Sequence, residues 1–70
     1  MLKVNDIVRS KVNHLVPDMR YVVEKVFKTV CWVRTATGHG EQRMVGGKMA
    51  ELRLLYKGIP YNVIEKVKNV

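Results

Sequence analysis

Three observations in the amino-acid sequence predict a mainly β protein built from antiparallel strands. Val is prominent in an apolar content of 47%, and β-branched side chains suit the pleated, half-buried surface of a sheet. Short apolar stretches recur between turn-forming Asn, Asp, Gly and Pro residues, the punctuation of strands rather than of long helices. The chain has only 70 residues, enough for one domain spanning 1–70. A domain of this size buries only about 60% of the surface its unfolded form exposes, so its core is thin.

The elements follow in order. Residues 2–9 read as a first strand, bent at Asn5-Asp6 because Asn tolerates left-handed backbone and Asp accepts turn hydrogen bonds. Residues 10–18, with Asn13, Pro17 and Asp18, read as a connecting loop. A second strand over 19–27 is rich in β-branched and aromatic residues, and Lys28-Thr29 links it tightly to a third over 30–36. Gly38-His39-Gly40 marks a flexible hairpin, with 41–45 as the strand returning along the third. Gly46-Gly47 suggests a bulge or a turn.

The stretch KMAELRLLYK at 48–57 changes character, since Ala, Glu, Leu, Arg and Lys are strong helix formers. Met49, Leu52 and Tyr56 recur at helical spacing, and Gly58 with Pro60 forms a helix stop. A helix of one to three turns is therefore expected there, followed by a last strand over 61–67. VVEKV at 22–26 and VIEKV at 63–67 nearly repeat, and are read as strands in similar edge environments.

Five short strands with a helical turn before the last is the order of a small SH3-like antiparallel barrel. Closure would remove sheet edges that so small a chain cannot otherwise cover. An open sheet with the helix packed across it is the competing architecture. In either, Val4, Val8, Val23, Val33 and Leu52 are expected in one core made by at least four antiparallel strands.

Val4-Asn5-Asp6-Ile7-Val8 is similar to the Val-Gly-Asp-x-Val opening of KOW-type and SH3-like modules. Pro17-Asp18-Met19 before VVEKV, then Val30-Cys31-Trp32 and Glu51-Leu52, resembles the small bacterial YodC-like proteins. The resemblance covers residues 2–52. Asn5 stands where the family has Gly, and Cys31 and Trp32 are adjacent where the family separates them by one residue. The resemblance implies a small cytosolic module and no transferable activity.

Thirteen Lys and Arg against six Asp and Glu leave a formal charge of +7, with a pI near 9.9. That excess favours acidic partners. Cys31 is the single cysteine, so no disulfide supports the thin core, and a reducing cytoplasm is expected. No apolar run approaches the roughly 18 residues of a membrane span, and the first twenty residues lack a signal-peptide pattern.

No catalytic constellation is evident, and no enzymatic activity, cofactor or small-molecule substrate is expected. Cys31 lies between Val30 and Trp32 and reads as a small buried hydrophobe, not an activated nucleophile. His14, His39 and Cys31 lack the paired spacing of a structural zinc site. Gly40 to Lys48 fails as a phosphate loop because no hydroxyl residue follows Lys48. The six acids are scattered, with none paired for proton transfer.

Trp32 has two open readings. Val30, Trp32 and Arg34 share one face of the third strand, and Cys31, Val33 and Thr35 share the other. If the Cys31 face is the core, Trp32 is presented outward beside Arg34; otherwise it is the largest piece of the core.

The leading expectation is a basic binding module that contacts nucleic acid weakly and without strong sequence preference. Arg34, Arg43 and Lys28 would supply charge around the Gly38–Gly40 hairpin, with Trp32 or Tyr21 stacking on bases if exposed. The alternative is an interaction or regulatory adaptor, of the kind small mobile elements encode. It would dock on an acidic protein or self-associate through the 48–57 segment, as a monomer or homodimer.

Overall fold

The computed structural model describes residues 2–12, 15–16 and 18–67. The expectations placed on Asn13, His14 and Pro17 lie outside these residues. The strands are β1 (Ile7–Ser10), β2 (Tyr21–Val26), β3 (Val30–Thr35), β4 (Glu41–Val45), β5 (Lys48–Leu52), β6 (Leu55–Pro60) and β7 (Ile64–Lys66). A 3-10 turn, Tyr61–Val63, precedes β7. β1, β2, β3, β6 and β7 form a five-stranded antiparallel sheet in the order β6-β3-β2-β1-β7. β4 and β5 form a separate two-stranded ribbon.

The expected closed barrel is not formed, because β6 and β7 remain the two edges of the sheet. The helix expected over 48–57 is absent as well; β5 and the first half of β6 occupy that stretch. The cause is Gly46-Gly47. With φ of 56° and 79°, the pair makes a two-residue turn whose twist matches antiparallel strands. It folds Lys48 back onto Val45 and Met49 onto Met44, and the hairpin ladder outcompetes helix propensity. The helical turn before the last strand does exist, but at Tyr61–Val63.

The loop at Gly38–Gly40 does not join paired strands. β3 pairs with β2 and β6, whereas β4 pairs with β5. The loop instead launches the ribbon away from the body, and the Glu51 carboxylate holds it there. Glu51 Oε1 accepts the amides of Gly38 and Gly40 at 2.7 and 2.8 Å.

The core is one cluster: Val8, Leu15, Tyr21, Val23, Cys31, Val33, Ile59 and Ile64. Val8, Val23 and Val33 are buried as expected. Val4 and Leu52 are exposed instead, Val4 because it precedes the bend and Leu52 because it lies on the ribbon. The bend itself is built from Asn5, at φ 78°, and Asp6. The Asp6 carboxylate accepts the Lys3 amide at 2.9 Å, and the Asp6 amide donates to the Lys3 carbonyl. The near-repeated segments do not share an edge environment. β2 is an interior strand and β7 an edge, and the two flank β1 from opposite sides.

Candidate functional site

The faces of β3 decide the position of Trp32. Cys31, Val33 and Thr35 point into the core, while Val30, Trp32 and Arg34 are half-buried on the outer face. Trp32 is therefore an outward residue on an interior strand of the sheet, next to edge strand β6.

Both neighbours of β3 break register at its level. In β2 the pairing passes from Val23↔Val33 to Lys25↔Trp32, leaving Glu24 as the extra residue. In β6 it passes from Tyr56↔Val33 to Ile59↔Cys31, so Lys57 and Gly58 together face Trp32. Such bulges re-aim side chains: the one in β6 brings Lys57 to the ring, while the register set by the Lys28-Thr29 turn brings Lys25 to it. The Lys25 ammonium lies 4.9 Å from the indole centroid, and that of Lys57 lies 4.7 Å from it. Both distances are within the range of cation–π attraction.

Phe27 extends the aromatic surface, its ring centroid 5.5 Å from that of Trp32 at a 48° tilt. Its backbone is clamped by Tyr61, whose hydroxyl accepts the Phe27 amide and donates to the Phe27 carbonyl. The exposed Lys28 occupies the β2–β3 turn beside it. Lys28 also borders a groove of about 700 Å³ floored by Leu2, Val26, Tyr61 and Ile64. No ion-pair partner within 4.0 Å holds Lys25, Lys28 or Lys57 among the described residues.

Of the residues expected at the site, Trp32, Lys28 and Arg34 belong to this region of the sheet. Arg34 is tied down: its Nε donates to Glu24 and its Nη1 to the Arg53 carbonyl, each at 3.0 Å. Arg43 is elsewhere, on the ribbon, paired with Glu41 at 3.1 Å. The expected pairing of Arg34 and Arg43 across one hairpin does not occur. Tyr21 is a core residue, 1% exposed, and offers no surface for stacking. Its ring packs edge-on against Tyr56 at 5.8 Å, and its hydroxyl accepts the Val16 amide. Burial is the main cause that pushes the Tyr21 phenol up from its ordinary value.

Lys25 and Lys57 were missed by sequence reasoning. Lys25 had a usable signal, because counting back from the two-residue Lys28-Thr29 turn brings it opposite Trp32. Lys57 had none while its segment was read as a helix.

Cys31 is fully buried, and desolvation pushes its thiol up from the ordinary value. Half-buried His39 accepts the Arg20 amide at its Nδ1, at 3.4 Å. Among the described residues no three His, Cys, Asp or Glu side chains are grouped to hold a metal ion. No helix of the described residues is long and apolar enough to cross a membrane. No protein-family model, curated protein or solved structure matches the chain.

Proposed function

We propose that this protein is a non-enzymatic, cytoplasmic binding module that contacts nucleic acid through the outer face of its five-stranded sheet. The observation that carries this reading is Trp32, half-exposed on an interior strand of that face, with two lysines at its ring that have no ion-pair partner among the described residues. An aromatic face bordered by cations matches the two parts of a nucleotide: a base stacks on the ring and a phosphate takes the ammonium.

In the free protein the π-cloud of Trp32 is the counter-charge for Lys25 and Lys57. A bound strand exchanges it for phosphate oxygens and leaves the indole to a base. Phe27 offers a second stacking surface, and Lys28 a third cation with no ion-pair partner among the described residues. None of these contacts reads a base edge, so the binding is weak and tolerant of sequence.

The strand order and the 3-10 turn before β7 favour an SH3-like module in open form, with the β4–β5 ribbon inserted between its third and fourth core strands. Asn5 supports the resemblance to KOW-type and YodC-like openings. Its φ of 78° is the conformation a glycine at that place would supply.

Trp32 is the only tryptophan, so tryptophan emission, excited where tyrosine absorbs little, reports on this site alone. Short single- and double-stranded DNA and RNA are titrated at two salt concentrations, the lower about 50 mM. Saturable quenching that weakens with salt is expected. Absence of saturable binding at the lower salt overturns the proposal, and an acidic protein then becomes the partner to seek.

A further inference from the structure

We infer that the β4–β5 ribbon is a self-association arm, whose occupant is the arm of a second copy of this chain. The ribbon is exposed along nearly its whole length. Met44, Val45 and Met49 are each more than 60% exposed, the most exposed large apolar residues among those described. Beyond the ladder between its own two strands, the arm barely touches the body. An isolated two-stranded hairpin is marginal in water and becomes stable when a further strand or apolar face covers it. The outer edges of both strands carry no pairing with the described residues, and an uncovered edge is a template for another strand.

Charge selects the second copy. The whole chain carries +7, which sets copies against one another over most of the surface. Residues 41–52 add nothing to that excess, with Glu41 and Glu51 balancing Arg43 and Lys48. Three of these four charges are satisfied locally: Arg43 and Glu41 pair with each other, and Glu51 binds the Gly38 and Gly40 amides. An acidic partner or a nucleic acid gains little from a neutral arm. A second neutral arm meets no repulsion there.

The cross-strand pair Met44 and Met49 supplies the apolar centre, and unbranched thioether side chains adapt readily to their own copies. A two-fold arrangement brings the same patch of each copy together and closes without leaving a free surface for a filament.

The test uses the full chain. Sedimentation equilibrium across a concentration series is expected to show a shift from the 8.1 kDa monomer to a dimer that strengthens as salt rises, because salt screens the repulsion between two chains of charge +7. That direction separates it from nucleic-acid binding, whose loss of affinity with salt is steep. The double substitution Met44→Ser, Met49→Ser is expected to weaken dimerisation at least about tenfold, with an unchanged circular dichroism spectrum.

A second measurement does not depend on that variant folding. Met49→Cys is expected to form a disulfide-linked dimer under mild oxidation, whereas Val12→Cys, exposed on the body, is not. The native Cys31 is buried and does not interfere. A chain that stays monomeric throughout the concentration series overturns the inference. So does a dimer that crosslinks equally at position 12 or survives both serine substitutions.

Discussion

Lys57 lies over the indole of Trp32, its ammonium 4.7 Å from the ring centroid, because β6 carries one residue more than β3 at that level. The extra residue is accommodated by Gly58, at φ 70°. A Cβ there would meet no atom within 4 Å, so the obstacle to substitution is backbone conformation alone. Gly58→Ala is expected to cost roughly 1–2 kcal/mol, the penalty of left-handed geometry for a residue with a Cβ. Gly58→Asn should cost less, because Asn visits that region more readily. Thermal unfolding of the two variants checks the order, and equal losses would mean that the bulge has rearranged.

The binding proposal makes a sharper demand on the same residues. Lys25→Ala, Lys57→Ala and Lys28→Ala should each weaken binding to unrelated sequences alike and lower the salt slope by about one unit. Trp32→Ala should instead cost about 1–3 kcal/mol of binding with little change in slope. Arg34→Ala is expected to act mainly on stability, since its guanidinium joins Glu24 to the Arg53 carbonyl. Fluorescence anisotropy of a labelled oligonucleotide separates these outcomes, with circular dichroism of each variant as the folding control.

The core supplies a third test. Val23 and Val33 face each other across the β2–β3 ladder, both fully buried. Val23→Ala removes two methyl groups from a core with little redundancy and should cost roughly 1–3 kcal/mol. Urea denaturation measures this directly. A loss below about 0.5 kcal/mol would mean that the neighbouring side chains collapse into the space.

How far the fold was legible depended on which interactions were local. The bend at Asn5-Asp6, the strands at 21–26 and 30–35 and the tight Lys28-Thr29 turn follow from residue types acting on near neighbours. The ribbon was misread because two local signals conflicted over 48–57. Its Ala, Glu and Leu residues favour helix, while Gly46-Gly47 favours a hairpin that commits Lys48–Leu52 to the facing strand. Leu55 and Tyr56 were then claimed by the long-range ladder with Arg34 and Val33, which no short window reveals. At the site, alternation along β3 limited Trp32 to two faces without choosing between them. The choice came from the burial of Cys31 and Val33 among Val8, Ile59 and Ile64, partners distant in sequence.

Cys31 carries the last prediction, in pH and in reactivity. Its side chain is sealed in the core, and desolvation raises the thiol above its ordinary value of 9.0. The unfolded chain releases this proton near the ordinary value, whereas the folded chain holds it to higher pH. The stability it contributes is therefore complete below about pH 9 and is lost as pH rises through the raised folded value. Comparison with Cys31→Ala isolates the Cys31 contribution from every other pH-dependent effect. The stability gap between the wild type and Cys31→Ala should be largest near neutrality and should narrow steadily above pH 9. In the folded state at neutral pH the thiol should resist alkylation, because reaction requires an exposed thiolate. Urea titrations of both proteins from pH 7 to pH 10.5, with iodoacetamide labelling at pH 7, measure both effects. A pH-independent gap, or rapid labelling of the native protein, would place Cys31 in contact with solvent and outside this core.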